Sequence, residues 1–228
     1  MKRIVTLLLV MALCIPALFS CDLLGEGPME KVAAMYKVSE PTKVVAYTTQ
    51  KVGDLELKSD YSIVTGYVDN APASVYVYNG QEIRSVEEGG QNEEIKDIIK
   101  LDPIKIEAIE GKGTRTNGGD WNPEGQVWTV GRGRMALNLD KSAVKDIVYK
   151  DNVLTFVVPK ENAKTVLGET YAADIGSDVE ITIVDDGAVV TSVKLHYFLN
   201  ANEAANVVAS EMTVEVIYTY DIERITIE

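Results

Sequence analysis

His196 is the only histidine in this 228-residue chain, so any nucleophile that needs an imidazole base must find it there. It lies in the alternating run Val189 to Leu199, which predicts a strand with His196 on the face of Val190, Ser192, Lys194 and Phe198, opposite Val193 and Leu195. No serine nearby stands in a strand-turn-helix nucleophile pattern. The residue reads as an exposed strand histidine with no catalytic role. Zinc is disfavoured by the same count, since one imidazole without a free thiol cannot complete a ligand set.

Carboxylates are abundant, and two facing acids can hydrolyse glycosides. Here Glu87 with Glu88, Glu93 with Glu94, and Asp185 with Asp186 fall at turns or polar connections, where solvated charge is the default. Asn117, Asp120 and Asn122 offer closely spaced oxygen ligands but lack the EF-hand pattern. Gly131, Arg132, Gly133 and Arg134 form a hairpin-like cluster rather than a dinucleotide fingerprint, because no strand-helix-strand context surrounds them. The reading is therefore non-catalytic, with no catalytic residue, metal site or cofactor assigned.

Cys21 carries the one clear chemical signal. Lys2 and Arg3 precede Ile4 to Leu13, in which only Thr6 is polar. That is the charged and apolar order of an export signal, too short to span a bilayer. Leu18, Phe19, Ser20 and Cys21 follow Pro16 and resemble the lipobox of bacterial prolipoproteins, with Phe19 bulkier than usual. The resemblance implies cleavage before Cys21, a diacylglycerol on its thiol, and an anchored protein on the extracytoplasmic side of the cell membrane or outer membrane. Two or more acyl chains hold a protein stably at a membrane. An ordinary cleaved signal is the alternative, but beyond residue 20 no other cysteine exists for Cys21 to pair with. The organisation expected is a signal at 1–20, a tether at 21–28, and one domain at 29–228.

The formal net charge of −13 becomes −15 without Lys2 and Arg3. Nucleic acids and anionic lipid surfaces require basic patches, so neither is expected as an electrostatic partner.

Met29, Val32, Ala33 and Tyr36 have helical spacing, and Pro41 stops the helix. From Thr42 the period becomes two. Leu55 to Val68 makes a long run in which Gly66 is a candidate bulge or bend. Val75 to Tyr78, Asn79, Gly80, and Glu82 to Val86 predict a tight hairpin. Ile95, Ile98 and Ile99 suggest a short helix or edge connection within Glu87 to Pro103, and Gly111 to Gly125 suggests an exposed loop with Trp121 in it. Strands are expected at Gln126 to Val130 and Arg134 to Leu139, and in the pair Val144 to Tyr149 and Val153 to Val158. A helix from Lys160 to Leu167 capped by Gly168 and strands from Val179 to Tyr220 complete the chain. The fold class expected is mainly β (α+β), with about ten strands in one strongly curved antiparallel sheet, an open half-barrel carrying two or three short helices.

This order of elements resembles the LolA and LppX/LprG-type lipoprotein carriers. The resemblance implies an incompletely closed barrel around helices, with an apolar concavity for a lipid or another apolar ligand. The arginine that latches a lid helix in that family has no assignable counterpart among Arg84, Arg115, Arg132, Arg134 and Arg224. On the concave side we expect Leu57, Tyr61, Ile63, Val193, Leu195, Val214, Val216 and Tyr218. The alternative gives them a filled core and leaves a surface module that meets a protein or envelope polymer through an exposed loop.

Overall fold

A computed structural model describes residues 27–38, 40–87, 94–109, 112–116, 135–169, 174–205 and 207–220. Helix α1 (Pro28–Val38) opens with Pro28, whose missing N–H costs nothing in a first turn. Glu30 lies near its N-terminus and Lys37 near its C-terminus, each matching the helix dipole. Its buried stripe is Met29, Val32, Met35 and Tyr36, with Ala33 half-buried at its margin.

Seven strands follow: β1 (Lys43–Val52), β2 (Leu55–Val68), β3 (Ala71–Asn79), β4 (Gln81–Glu87), β5 (Glu94–Lys100), β6 (Ile104–Ile109) and β7 (Lys112–Thr116). Then come β8 (Lys145–Lys150), β9 (Val153–Val158), helix α2 (Ala163–Leu167), β10 (Val179–Asp185), β11 (Val190–Leu199) and β12 (Ser210–Thr219). Ten strands form one antiparallel sheet in the order β7-β6-β3-β2-β1-β12-β11-β10-β9-β8, and β4 pairs only with β5. Among the described residues the sheet is open, with β7 and β8 as its edges. Within it the first and last long strands, β1 and β12, lie side by side.

Helix α1 lies against the sheet. It packs on β9 and β11, places Lys31 over the Tyr149 ring of β8, and sets Tyr36 edge-on to Tyr218 of β12. Helix α1 thus crosses one face of the sheet from β8 to β12, and a large antiparallel sheet left open, with short helices, agrees with the expected half-barrel. Among the described residues no helix is long and apolar enough to cross a membrane.

Several local expectations are corrected. The hairpin across Asn79 and Gly80 does not form: β3 pairs with β2 and β6, and β4 with β5. A tight two-residue turn needs positive φ at both positions, and neither Asn79 nor Gly80 has it. Asn79 instead donates to Asp60 across the β2–β3 ladder at 2.8 Å, and a Cβ on Gly80 would strike the Tyr78 ring. The turns that do take two positive φ values are Asp69–Asn70 and Asp151–Asn152; the second is the predicted link between β8 and β9. Gly66 pairs with Ala73 in unbroken register, so it is not a bulge. The isoleucines read as helical at 95, 98 and 99 belong to β5, because three apolar residues in five positions fit both periods.

Residues 112–116 of the expected loop are strand β7, and the rest of it lies outside the described residues, as do Gln126 to Val130 and the acylation signal. Met135 to Leu139 belongs to no strand or helix, with Met135, Leu137 and Leu139 half-buried and Ala136 and Asn138 exposed. It is a strap packed on the core through Met135, Leu137 and Leu139, held by Asn138 N–H to Val166 O at 2.9 Å. Lys160–Asn162 forms a 3₁₀ turn leading into α2, which ends at Gly168 as expected.

Candidate apolar ligand site

Strand registers decide which side chains share a face. Across β1, Val44 opposes Ile63, Ala46 opposes Tyr61, and Gln50 opposes Leu57. On the other side Val44 opposes Tyr218, Ala46 opposes Val216, and Thr48 opposes Val214. Val193 then opposes Val216, and Leu195 opposes Val214. Directly opposed residues point to the same side of a sheet. All eight residues expected on the concave side are therefore on one face, the face on which α1 packs.

Their surroundings differ along that face. Val193, Leu195, Val214, Val216 and Tyr218 are buried in one core cluster with Met29, Val32, Met35 and Tyr36 of α1 and Val166 and Leu167 of α2. Tyr218 Oη accepts the Met135 N–H at 3.1 Å and lies 3.4 Å from Tyr36 Oη, so helix, strap and sheet meet there. Ile63 is buried, while Leu57 and Tyr61 are only half-buried.

Beyond β2 the same face continues through residues that the sequence reading missed. Ile63 opposes Tyr76 and Tyr61 opposes Tyr78, and Tyr76 and Tyr78 in turn oppose Ile106 and Ile104. Tyr76, Tyr78 and Ile104 are half-buried. Alternation in Val75 to Tyr78 was visible, but the pairing that brings it beside β2 was not. The Tyr61 and Tyr76 rings lie 6.1 Å apart at 31°. Burial raises both phenols above their ordinary range, with Tyr218 adding to the shift at Tyr61. Both hydroxyls therefore stay neutral at physiological pH and able to donate.

His196 faces outward. Its Nε2 is 2.8 Å from Glu211 Oε1 and its Nδ1 is 3.7 Å from Glu180 Oε2. The His196 hydrogen bond, followed by Lys51, holds the Glu211 carboxyl below its ordinary range. Val190 does not share this outer face; it is buried, because the β10–β11 register shifts after Val184.

The acid pairs are also placed apart. Asp185 is buried and accepts from Tyr149 Oη and Gly187 N–H, whereas exposed Asp186 accepts the N–H groups of Ala188 and Val189. Glu87 and Glu94 oppose each other across β4 and β5; Glu88 and Glu93 lie outside the described residues, as do Asn117, Asp120, Asn122 and Gly131 to Arg134. Among the described residues no cluster of three His, Cys, Asp or Glu side chains is arranged to hold a metal. Two polar clefts of about 290 Å³ each also occur, one at Glu180, Lys194 and His196 and the other at Lys58, Asp60, Asn79 and Lys100.

The protein is thus an open antiparallel half-barrel packed against a leading helix, with an apolar inner face that is filled at one side and half-exposed at the other. No protein-family model and no curated protein matches the chain. Among solved structures, LprF from Mycobacterium bovis is similar over 87% of this chain and 95% of that one, at 11% identity and a TM-score of 0.36.

Proposed function

We propose that the chain is an extracytoplasmic lipoprotein, anchored through Cys21 to the cell membrane or outer membrane, that binds a lipid or other apolar ligand without covalent chemistry. The seat is the inner face of β2, β3 and β6: Leu57, Tyr61 and Ile63 together with Tyr76, Tyr78 and Ile104.

One observation carries this reading. Helix α1 packs toward β8–β12, yet the apolar face runs on past β1, where Ile63 and Ile106 are buried but Leu57, Tyr61, Tyr76, Tyr78 and Ile104 are only half-buried. Apolar area left in water forgoes about 25 cal/mol per Å², so a ligand that covers it is stabilised there. Val193, Leu195, Val214, Val216 and Tyr218 belong in this reading to the core that shapes the trough.

Native mass spectrometry of protein extracted from membranes tests the seat. Bound acyl or other apolar mass is expected in the native chain and is expected to fall in Leu57→Asp/Tyr61→Asp protein that remains folded. Ligand-free native protein from several preparations, or occupancy unchanged in that variant, would overturn it.

The filled side of the trough favours a second reading, a surface interaction module. It predicts the ligand-free result together with capture of a partner that substitutions of outer-face residues such as Tyr47 or Ile217, both exposed, abolish.

A further inference from the structure

We infer that the β8 edge of the half-barrel, at Ile147 and Val148, is the surface that rests against the bilayer. The inference rests on the proposed acylation of Cys21 and adds which part of the domain the anchor draws to the lipid.

Chain length limits the geometry first. Six residue steps join Cys21 to Gly27, a reach of about 20 Å even when fully extended. The N-terminal turn of α1 must therefore stay within that distance of the headgroups. That turn lies at the β8 edge: Lys31 Nζ donates to Tyr149 Oη of β8 at 3.2 Å, and Glu30 pairs with Lys141 at 3.0 Å just before β8. Tyr149 also reaches Asp185 at the end of β10, which places the β8–β9 and β10–β11 turns at the same corner. The opposite end, where Glu203 sits after β11, is a ten-residue strand away, about 33 Å. The tether is too short for that end to take the place of this one.

Surface chemistry at the corner supplies the second observation. β8 is a sheet edge, and edge strands are normally covered or blunted by charge. Ile147 and Val148 are nevertheless exposed in its centre, Val148 at 57%. Lys145 and Lys150 stand two residues to either side, each next to an exposed acid, Asp146 and Asp151; Lys145 is held by Asp178 at 2.7 Å, and Lys150 has no ion pair among the described residues. Apolar side chains bordered by lysine stems suit the headgroup boundary, where the alkyl parts bury and the ammonium groups reach phosphate. The chain as a whole is acidic, with a net charge of −13, so its charge does not draw it broadside to a membrane. A short anchor beside a small apolar edge accounts for both facts.

The test uses the full chain, acylated in a bacterial host and reconstituted in phosphatidylcholine vesicles containing a nitroxide-headgroup lipid. A fluorophore is placed on Val148→Cys, on Ile147→Cys as a second variant, and on Glu203→Cys as the far-end control. Acylated Cys21 has no free thiol to compete for the label. Quenching several-fold stronger at 147 and 148 than at 203 is expected. Equal or reversed quenching in protein whose mass shows the acyl groups overturns the orientation alone. A mass without acyl groups on Cys21 overturns the anchor, and the orientation with it.

Discussion

The Tyr149 hydroxyl donates to Oδ2 of buried Asp185 at 3.0 Å and itself accepts from Lys31 Nζ at 3.2 Å. This joins the edge strand β8, the interior strand β10 and helix α1 through one phenol. Among the described residues the other Asp185 oxygen accepts only the Gly187 N–H, at 2.8 Å. Tyr149→Phe leaves half of a buried carboxylate unsatisfied, and a loss of about 1–3 kcal/mol is expected. A urea midpoint identical to that of the native chain would refute the tie.

The two sides of the inner face are expected to respond differently to truncation. Leu195 is fully buried in the core cluster, so Leu195→Ala should cost about 2–5 kcal/mol. Leu57 is half-buried, and Leu57→Ala should cost well under half as much in ligand-free protein. Parallel denaturation curves read both, and equal losses would place Leu57 in the packed core.

Gly168 follows α2 with φ 84° and ψ 158°, a region essentially closed to residues with a Cβ. Nothing lies within 4 Å of where that Cβ would sit, so Gly168→Ala tests backbone strain without a clash. Destabilisation of about 1–3 kcal/mol is expected. A neutral result would mean that the α2–β10 connection relaxes to another conformation.

Asp178 joins Lys145 and the Lys160 N–H at the far end of β8. The Lys145 hydrogen bond, then that of Lys160, lowers its pKa below 3.8, and Asp178 in turn raises Lys145 above 10.5. A lowered carboxylate stabilises the fold above its unfolded pKa and loses that effect as pH falls through the folded one. A raised lysine does the converse on the alkaline side. The stability gap between native protein and Asp178→Asn should therefore be widest between about pH 4 and 10, should close at either extreme, and should shrink with salt because both groups are exposed. A gap independent of pH, measured by denaturant titration in a buffer series, would remove the ion pair from the account.

Much of the fold was legible because it is periodic. The stripe of α1 needs only the spacing of Met29, Val32 and Tyr36, although Met35 rather than Ala33 completes it. Alternation in β2, β10 and β12 assigned Ile63, Ile181 and Val214 to the inside. Where alternation failed, the cause was an event beyond the local chain. The register shift after Val184 turned Val190 inward, and Met135 to Leu139 alternates because it crosses the core, although it joins no sheet. Only the half-buried part of the candidate site stayed hidden, since Tyr76 and Ile104 come beside Tyr61 and Ile63 through pairings of β3 that no short window contains.

By itself the sequence determined which residues turn inward along each strand and helix, since side-chain direction follows the two- or 3.6-residue repeat of the backbone. Only the tertiary structure decided which strands are neighbours: β1 beside β12, β3 between β2 and β6, and β4 drawn away to β5 despite the Asn79–Gly80 turn signal. Partner choice depends on burial and hydrogen bonding summed over segments as far apart as Val44 and Tyr218. That sum also decided that α1 fills one side of the trough and packs away from the other.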